Sequence, residues 1–188
     1  MQCFSDAVFN KQTDVKQDWF QTEFDHCVFN QIDFSNQDLS GSKFMDCQFE
    51  GCNLALANIQ HTAFQNVIFN QTKLSGLQFD TCNPFALSFR FNDCILQHAT
   101  FFKLTIPKTI FFKSDLTGAD FTETNLTESI FDACNLSQAI FEKTKLTRVD
   151  FTSAFQFSID PTKNDIKKAQ FSIEGLPGLL EAYNIIIK

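Results

Sequence analysis

The sequence is poor in glycine and proline, with six and four residues among 188, and it has one tryptophan and one tyrosine. The low glycine and proline content excludes a collagen-like chain and a Gly/Pro-rich disordered chain. No apolar run approaches the roughly 18 residues of a membrane span. Residues 1–31 carry charges throughout and lack the apolar stretch of a secretory signal. We therefore expect a cytoplasmic protein that contacts no membrane.

Basic residues are also scarce, since 15 Lys and Arg stand against 22 Asp and Glu and give a net charge of -7. Proteins that bind nucleic acid usually show a basic footprint, so this balance argues against direct nucleic-acid binding. Phenylalanine, by contrast, is abundant, with 25 residues. The length and the hydrophobic content of 44% are typical of one globular domain.

A large apolar residue returns at every fifth position along most of the chain. In a first series, from 4 to 89, only Asp14 and Pro84 depart from this rule. A second series begins at Leu96, two residues out of step, and runs without exception to Phe151. Such residues would wind around a helix and would alternate between the faces of a flat strand. The pattern closes if the backbone turns a corner every five residues, so that four corners complete a coil of 20 residues.

Residues 20 apart should then lie above one another in successive coils, and phenylalanine does recur at this spacing. We expect these rings to stack in files along the axis of the coil. The predicted files are Phe4, Phe24, Phe44 and Phe64; Phe9, Phe29, Phe49, Phe69 and Phe89; Phe101, Phe121 and Phe141; and Phe111, Phe131, Phe151 and Phe171. The sequence therefore predicts an all-β solenoid of stacked parallel strands.

Two segments, 118–122 (GADFT) and 133–137 (ACNLS), resemble the A(D/N)Lxx motif of pentapeptide repeat proteins, in which Phe often replaces Leu. The resemblance covers about residues 4–171 and implies a right-handed quadrilateral β-helix. We assign 1–172 to this solenoid, with an irregular first coil at 1–20 and a register step near 84–95. Pro84 fits a bulged corner at the step, because proline cannot donate a ladder hydrogen bond.

The last segment, 173–188, is predicted to form a short helix followed by a strand. Pro177 suits a first helical turn, Asn184 suits a C-cap, and three isoleucines follow. These elements can cap the open end of the solenoid within one chain. They can also join two chains, and the resemblance to Qnr-type and MfpA-type pentapeptide proteins favours a homodimer. The residues predicted to dimerise are Leu176, Leu179, Leu180, Tyr183, Ile185 and Ile187.

Cysteine and histidine form no catalytic or metal-binding motif that the sequence reveals. Six of the seven cysteines, all but Cys3, stand two residues before a repeat centre, where a small side chain is required. His26, His61 and His98 each stand two residues after a centre, at predicted outward corners. No CxxC, nucleophile elbow or phosphate-binding glycine loop occurs. We predict no catalytic residue, no metal, no cofactor and no enzymatic activity.

The acidic surface is the remaining feature with functional content. Acids outnumber bases ten to four in 1–80 and six to one in 111–142. These charges can serve solubility alone, or they can let a narrow rod imitate duplex DNA, although more dilutely than DNA itself. The outward acids predicted to bind a partner are Asp18, Asp33, Asp38, Glu50, Asp115, Asp120, Glu123, Glu128 and Asp132.

The C-terminal run from 158 to 180 is similar to Qnr-type and AlbG-type pentapeptide repeat proteins. That resemblance implies a protein that binds bacterial DNA gyrase and topoisomerase IV, and either protects them from inhibitors such as quinolones or inhibits them. The alternative is an interaction scaffold that presents a flat face to an unrelated protein.

Overall fold

The computed structural model describes residues 2–11 and 19–186, which form short parallel strands. Strands β1, β3, β5 and β7 make one sheet, and the other nine make a second sheet with β2 and β13 at its edges. The strands are β1 (Cys3–Ser5), β2 (Val8–Asn10), β3 (Glu23–Asp25), β4 (Val28–Asn30), β5 (Lys43–Met45), β6 (Gln48–Glu50), β7 (Ala63–Gln65), β8 (Val67–Asn70), β9 (Phe89–Asn92), β10 (Ile110–Phe112), β11 (Ile130–Asp132), β12 (Asp150–Phe151) and β13 (Gln170–Phe171).

Each coil has four sides, and the sides of successive coils stack into four faces. Face 1 holds the four-stranded sheet and, farther along, the centres 106, 126, 146 and 166, whereas face 2 is the nine-stranded sheet. Faces 3 and 4 are joined by isolated parallel bridges, such as Asp33 with Asn53 and Asp38 with Asn58. The centres of face 3 are 34, 54, 74, 96, 116 and 136, and those of face 4 are 39, 59, 79, 101, 121 and 141.

Phenylalanine rings fill the axis of the solenoid. Phe29 and Phe49 stack nearly in parallel with ring centroids 4.7 Å apart, whereas Phe24 and Phe29, on neighbouring faces, meet edge to face at 5.2 Å. Both arrangements suit the quadrupole of the ring, and neither needs a polar partner. The predicted quadrilateral β-helix with an aromatic axis is confirmed.

The corners are made by residues two positions after each centre, most of which have left-handed backbone conformations. His26 has φ 52° and Glu123 has φ 56°, for example. This conformation is costly for a residue other than glycine. It persists because each corner amide bonds to the next coil, as His26 N does to Met45 O at 3.0 Å and Glu123 N to Glu142 O at 2.8 Å. His61 and His98 occupy exposed corners too, as the repeat predicts.

The register step is an insertion of two residues between Asn83 and Ser88. Strand partners lie 20 residues apart before it, but Phe69 pairs with Phe91 across β8 and β9. Pro84 is exposed, so face 1 lacks a core side chain there, and the buried ring of Phe89 lies nearby with its centroid 5.8 Å from that of Phe64.

The predicted file that ended at Phe89 is therefore wrong in its last member. Phe91 stacks on Phe69 at 5.3 Å and continues through Phe111 to Phe171. The file thus contains nine rings and crosses the insertion without a break.

The first coil is described only in part, and the predicted core position Asp14 lies outside the described residues. Trp19 is buried at the centre of face 4, where its ring lies 5.5 Å from that of Phe9 and 5.2 Å from that of Phe34. An indole thus closes this end of the phenylalanine core.

The tail forms the helix α1 (Pro177–Leu180) and a 3-10 turn at Glu181–Tyr183, which ends at Asn184 with φ 49°. The C-cap prediction for Asn184 is confirmed, and its amide bonds to Glu181 O. Any side chain at Gly178 would collide with the backbone of Phe157, against which the helix packs. The strand predicted at 185–187 is absent from its described part, because Ile185 and Ile186 lie against no strand of this chain. Ile187 lies outside the described residues.

Candidate functional site: the outer faces of the solenoid

The predicted partner-binding acids are spread around the solenoid rather than gathered on one side. Once the two-residue insertion is counted, Asp33 and Asp115 fall on face 3, and Asp38 and Asp120 fall on face 4. The others are Glu50 and Asp132 on face 2, Glu123 at the corner of faces 4 and 1, and Glu128 at the corner of faces 1 and 2. Asp18 lies outside the described residues.

Several of these carboxylates have a local structural role that the sequence reading missed. Asp33 Oδ1 accepts the backbone N–H of Ser35 at 2.9 Å, and Asp38 Oδ1 accepts that of Ser40 at 3.0 Å. Asparagine accepts the equivalent hydrogen bond at other positions, since Asn53 Oδ1 accepts the backbone N–H of Ala55. The D/N position of the repeat is therefore a turn-forming position, and an aspartate there is not by itself evidence of a binding site.

Ion pairs between coils neutralise the two corner glutamates. Glu123 lies 3.7 Å from Lys103 Nζ, and Glu128 lies 2.9 Å from Arg148 and 3.9 Å from Lys108. All of these side chains are substantially exposed, so the pairs contribute little stability. They do reduce the negative potential of both corners.

Face 4 is the side whose outward positions carry acids and no bases over residues 38–142, although Glu142 pairs with Lys163 at the neighbouring corner at 3.4 Å. Its outward positions, one residue before and one after each centre, include Asp38, Asp80, Asp120 and Glu142 and include no Lys or Arg between 38 and 142. With coils about 4.8 Å apart, acids two coils apart are separated by about 10 Å along the axis. In this acidic row, Asp38 and Asp120 stand before their centres and Asp80 and Glu142 after theirs, so the row follows the axis on both sides of the centres.

Asp80 is a member of the acidic row whose carboxyl pKa is shifted. Partial burial raises the pKa of its carboxyl above the ordinary value, and the charge of Asp120 adds to this effect, against a lowering by the Thr100 hydroxyl. Asp80 belongs to the 3-10 turn Phe79–Thr81, just before the insertion. The sequence reading omitted Asp80, because the restart of the repeat hid the fact that Asp80 and Asp120 share face 4.

The tail residues predicted to dimerise divide into two groups. Leu179 is partly buried and packs against the core of its own chain. Leu176, Leu180, Tyr183 and Ile185 are exposed, with 37–56% of their surface accessible. Their side chains leave an apolar patch at the C-terminal end of the solenoid.

Comparison with known proteins fixes the family. The model of the family "Pentapeptide repeats" matches residues 21–55, 47–83 and 114–152, with eight copies. The chain belongs to the pentapeptide repeat family. No curated protein matches it in sequence.

Two solved structures share the fold of this pentapeptide repeat protein over most of their length. Trypsin-treated QnrB1, a plasmid-mediated fluoroquinolone resistance protein, has a TM-score of 0.64 at 18% identity and covers 100% of this chain and 98% of its own. HetL, a pentapeptide repeat protein involved in heterocyst differentiation regulation from the cyanobacterium Nostoc, has a TM-score of 0.54 at 12% identity, with 92% and 85% covered. At these identities the likeness establishes the fold alone.

One corner of this pentapeptide repeat protein brings together three groups that could hold a cation. Potential ligand atoms of Asp25, His26 and Asp46 lie within 4.8 Å of one another. The hydrogen bond that His26 Nδ1–H donates to Asp25 Oδ1, at 2.9 Å, raises the pKa of the imidazole. The sequence already indicated that His26 and Asp46 are neighbours, because residues 26 and 46 are one coil apart, but the histidines were compared only with one another.

The described residues contain no helix with the length and hydrophobicity of a membrane span.

The six cysteines that stand two positions before a centre are buried and free, whereas Cys3 is exposed. Each buried thiol lies within hydrogen-bonding distance of a carbonyl of the preceding coil, as Cys134 Sγ does of Phe111 O at 3.3 Å. Thr124 and Thr144 use their hydroxyls in the same way. Burial raises the pKa of Cys134 to about 12. These thiols therefore act as small donors within the core.

Proposed function

We propose that this protein is a non-enzymatic binding protein that docks on a bacterial type II topoisomerase, DNA gyrase, and changes its response to inhibitors such as quinolones. The observation that carries the proposal is the fold shared with QnrB1, a fluoroquinolone resistance protein, over the whole of this chain. The acidic row of face 4 is the surface we assign to the contact. Its carboxylates follow the solenoid axis and are complementary in charge to the basic groove in which a topoisomerase holds DNA.

The acidic row can be tested with little disturbance of the turns, because asparagine forms the same turns as aspartate at the position before a centre, which Asp38 and Asp120 occupy, whereas Asp80 follows its centre. The test variant is Asp38→Asn with Asp80→Asn and Asp120→Asn on face 4. The matched control is Asp33→Asn with Asp115→Asn and Asp150→Asn, which removes the same charge from faces 2 and 3. Each protein is titrated into a gyrase supercoiling assay with and without a quinolone.

We expect the wild type and the control to protect or inhibit gyrase at micromolar protein. We expect the face 4 variant to need about tenfold more protein, because the lost charges weaken electrostatic docking. Equal loss in both variants would mean that face 4 has no special role. No effect of the wild type under any condition would overturn the gyrase proposal itself.

We further propose that the protein is a homodimer joined through the apolar patch of the tail. Burial of exposed Leu180 and Ile185 against a second copy would stabilise the pair and give the unpaired segment at 185–186 a strand partner. Light scattering should then give twice the chain mass of 21.5 kDa.

Substitutions in the patch test this assembly. We expect Leu180→Asp with Ile185→Asp, and likewise deletion of 184–188, to give monomers that keep the wild-type circular dichroism. The control Ile140→Asp alters an equally exposed apolar residue on face 4 and should leave the mass unchanged. A dimer that survives both tail changes would contradict the assignment.

A further inference from the structure

The positive charges of this acidic protein are concentrated on the C-terminal half of face 1. The four stretches that form this area, corners included, are 103–108, 123–128, 143–148 and 163–168. They hold eight of the 15 Lys and Arg and only three of the 22 Asp and Glu. The rest of the chain is left with seven bases against nineteen acids. We call this area the basic face.

Backbone pairing places the cations of the basic face next to one another in neighbouring coils. Lys143 N bonds to Lys163 O at 3.0 Å, Arg148 N bonds to Lys167 O at 2.9 Å, and Lys145 is bridged to Asp165. The cations thus form rows that follow the solenoid axis along both corners, with Lys145 and Lys167 between the rows. The basic residues, all exposed, are Lys103, Lys108, Lys143, Lys145, Arg148, Lys163, Lys167 and Lys168.

Part of this charge is neutralised and part is not. Glu123 and Glu128 pair with Lys103, Lys108 and Arg148, and Glu142 of face 4 lies 3.4 Å from Lys163. Among the described residues, no carboxylate lies within ion-pair distance of Lys143, Lys145, Lys167 or Lys168. These four side chains stand on two adjacent coils, so a bound anion would reduce the mutual repulsion that solvent and the neighbouring Asp165 leave.

The chemistry of the face indicates which anion it fits. Protein interfaces have cores rich in aromatic side chains and poor in lysine, and the four stretches contain no aromatic residue. Surfaces that bind single strands use aromatic side chains to stack bases, and these are absent as well. A flat face with lysine rows matches the sugar-phosphate backbone of a duplex, which needs only closely spaced cations.

We propose that the basic face binds the phosphate backbone of duplex DNA, without reading its sequence. This departs from the expectation drawn from the net charge, which averages over faces of opposite sign. The contact uses other residues than the acidic row, and it does not rest on the gyrase proposal. With about five net positive charges, the affinity should be modest and should fall steeply with salt, with a log–log slope of about -4.

The test is fluorescence anisotropy with a labelled duplex of about 20 base pairs in about 50 mM salt. The variant Lys143→Gln with Lys145→Gln and Lys167→Gln removes three charges from the basic face. The matched control Lys73→Gln with Arg90→Gln and Lys113→Gln removes three charges from faces 2 and 3 and the corner after face 2. Thermal unfolding followed by circular dichroism confirms that each protein is folded.

We expect the wild type and the control to bind the duplex, and the basic-face variant to bind at least about tenfold more weakly with a salt slope reduced by about 3. Absence of binding by the wild type at low salt would overturn the proposal. Equal weakening in both variants would also overturn it, since net charge rather than the basic face would then govern binding. Preference for a polyglutamate peptide over the duplex would instead assign the face to an acidic protein.

Discussion

At the scale of single residues, the position two before each centre is most often Cys, Ser, Thr or Ala and elsewhere a larger apolar residue such as Val67, Leu77 or Leu104. The side chain lies inside the coil, next to a carbonyl of the preceding coil, and Cys47 and Thr62 both contact such a carbonyl there. The sequence predicted the burial of these positions from size alone. It could not predict the shared hydrogen bond, because that bond depends on how one coil lies over the next.

Burial makes a prediction about thiol chemistry. At about pH 8, a disulfide reagent such as Ellman's should label one thiol in the native protein, Cys3, because burial raises the pKa of Cys47, Cys94 and Cys134 to about 12 and blocks access. All seven should react in denaturant. Cys3→Ser should abolish native labelling, and rapid labelling of a second thiol in the folded protein would show that the core opens readily.

At the scale of the coil corner, a side chain in one coil can limit the size of the residue at the same corner of the next coil. Gly118 has φ 66°, and a methyl group there would lie 2.6 Å from His98 Nδ1 of the preceding coil. A left-handed conformation alone costs alanine about 1 kcal/mol. The remaining cost depends on the imidazole above it.

This dependence can be measured with a double-mutant cycle. We expect Gly118→Ala to lower the free energy of unfolding by about 2 kcal/mol in the wild type, but by about 1 kcal/mol when His98→Ala has removed the ring. Chemical denaturation supplies both values. Equal losses in the two backgrounds would show that the ring moves aside at no cost.

The insertion marks the limit of sequence reasoning about elements. The five-residue period revealed a step of two residues, but not which ring takes over from which. Which ring continues the stack depends on how the core is filled beside Pro84, which gives face 1 no core side chain. The ring of Phe89 lies near that place, and Phe91 continues the stack on Phe69. The two inserted residues also change the face on which every later residue lies. The sequence therefore predicted that the acids point outward, but not which face each acid occupies.

At the scale of the whole molecule, faces 2 and 3 join the two halves across the insertion. Val67 N bonds to Ser88 O at 3.0 Å and Ile95 N to Thr72 O at 3.1 Å, so the halves share hydrogen bonds as well as a ring file. The net charge of the chain does not reveal how charge is distributed over the faces. The net charge sums the acidic row and the basic face, and these surfaces become distinct only when the coils stack.

Continuity across the insertion predicts that the two halves unfold together. Trp19 reports on the first coil, and circular dichroism reports on all strands. We expect both signals to give the same denaturation midpoint. Loss of tryptophan burial at clearly lower denaturant would show that the coils before the insertion melt separately, as nearest-neighbour coupling in repeat proteins allows.

The 20-residue coil also determines which insertions and deletions the fold can accept. Removal or duplication of one full turn leaves every remaining side chain on its own side of the tube, since Phe111 and Phe131 already occupy equivalent places. A deletion of most other lengths would rotate all downstream residues and expose the rings. Natural variation in chain length should therefore come in multiples of one coil. Each added coil would lengthen both charged surfaces by the same distance along the solenoid axis.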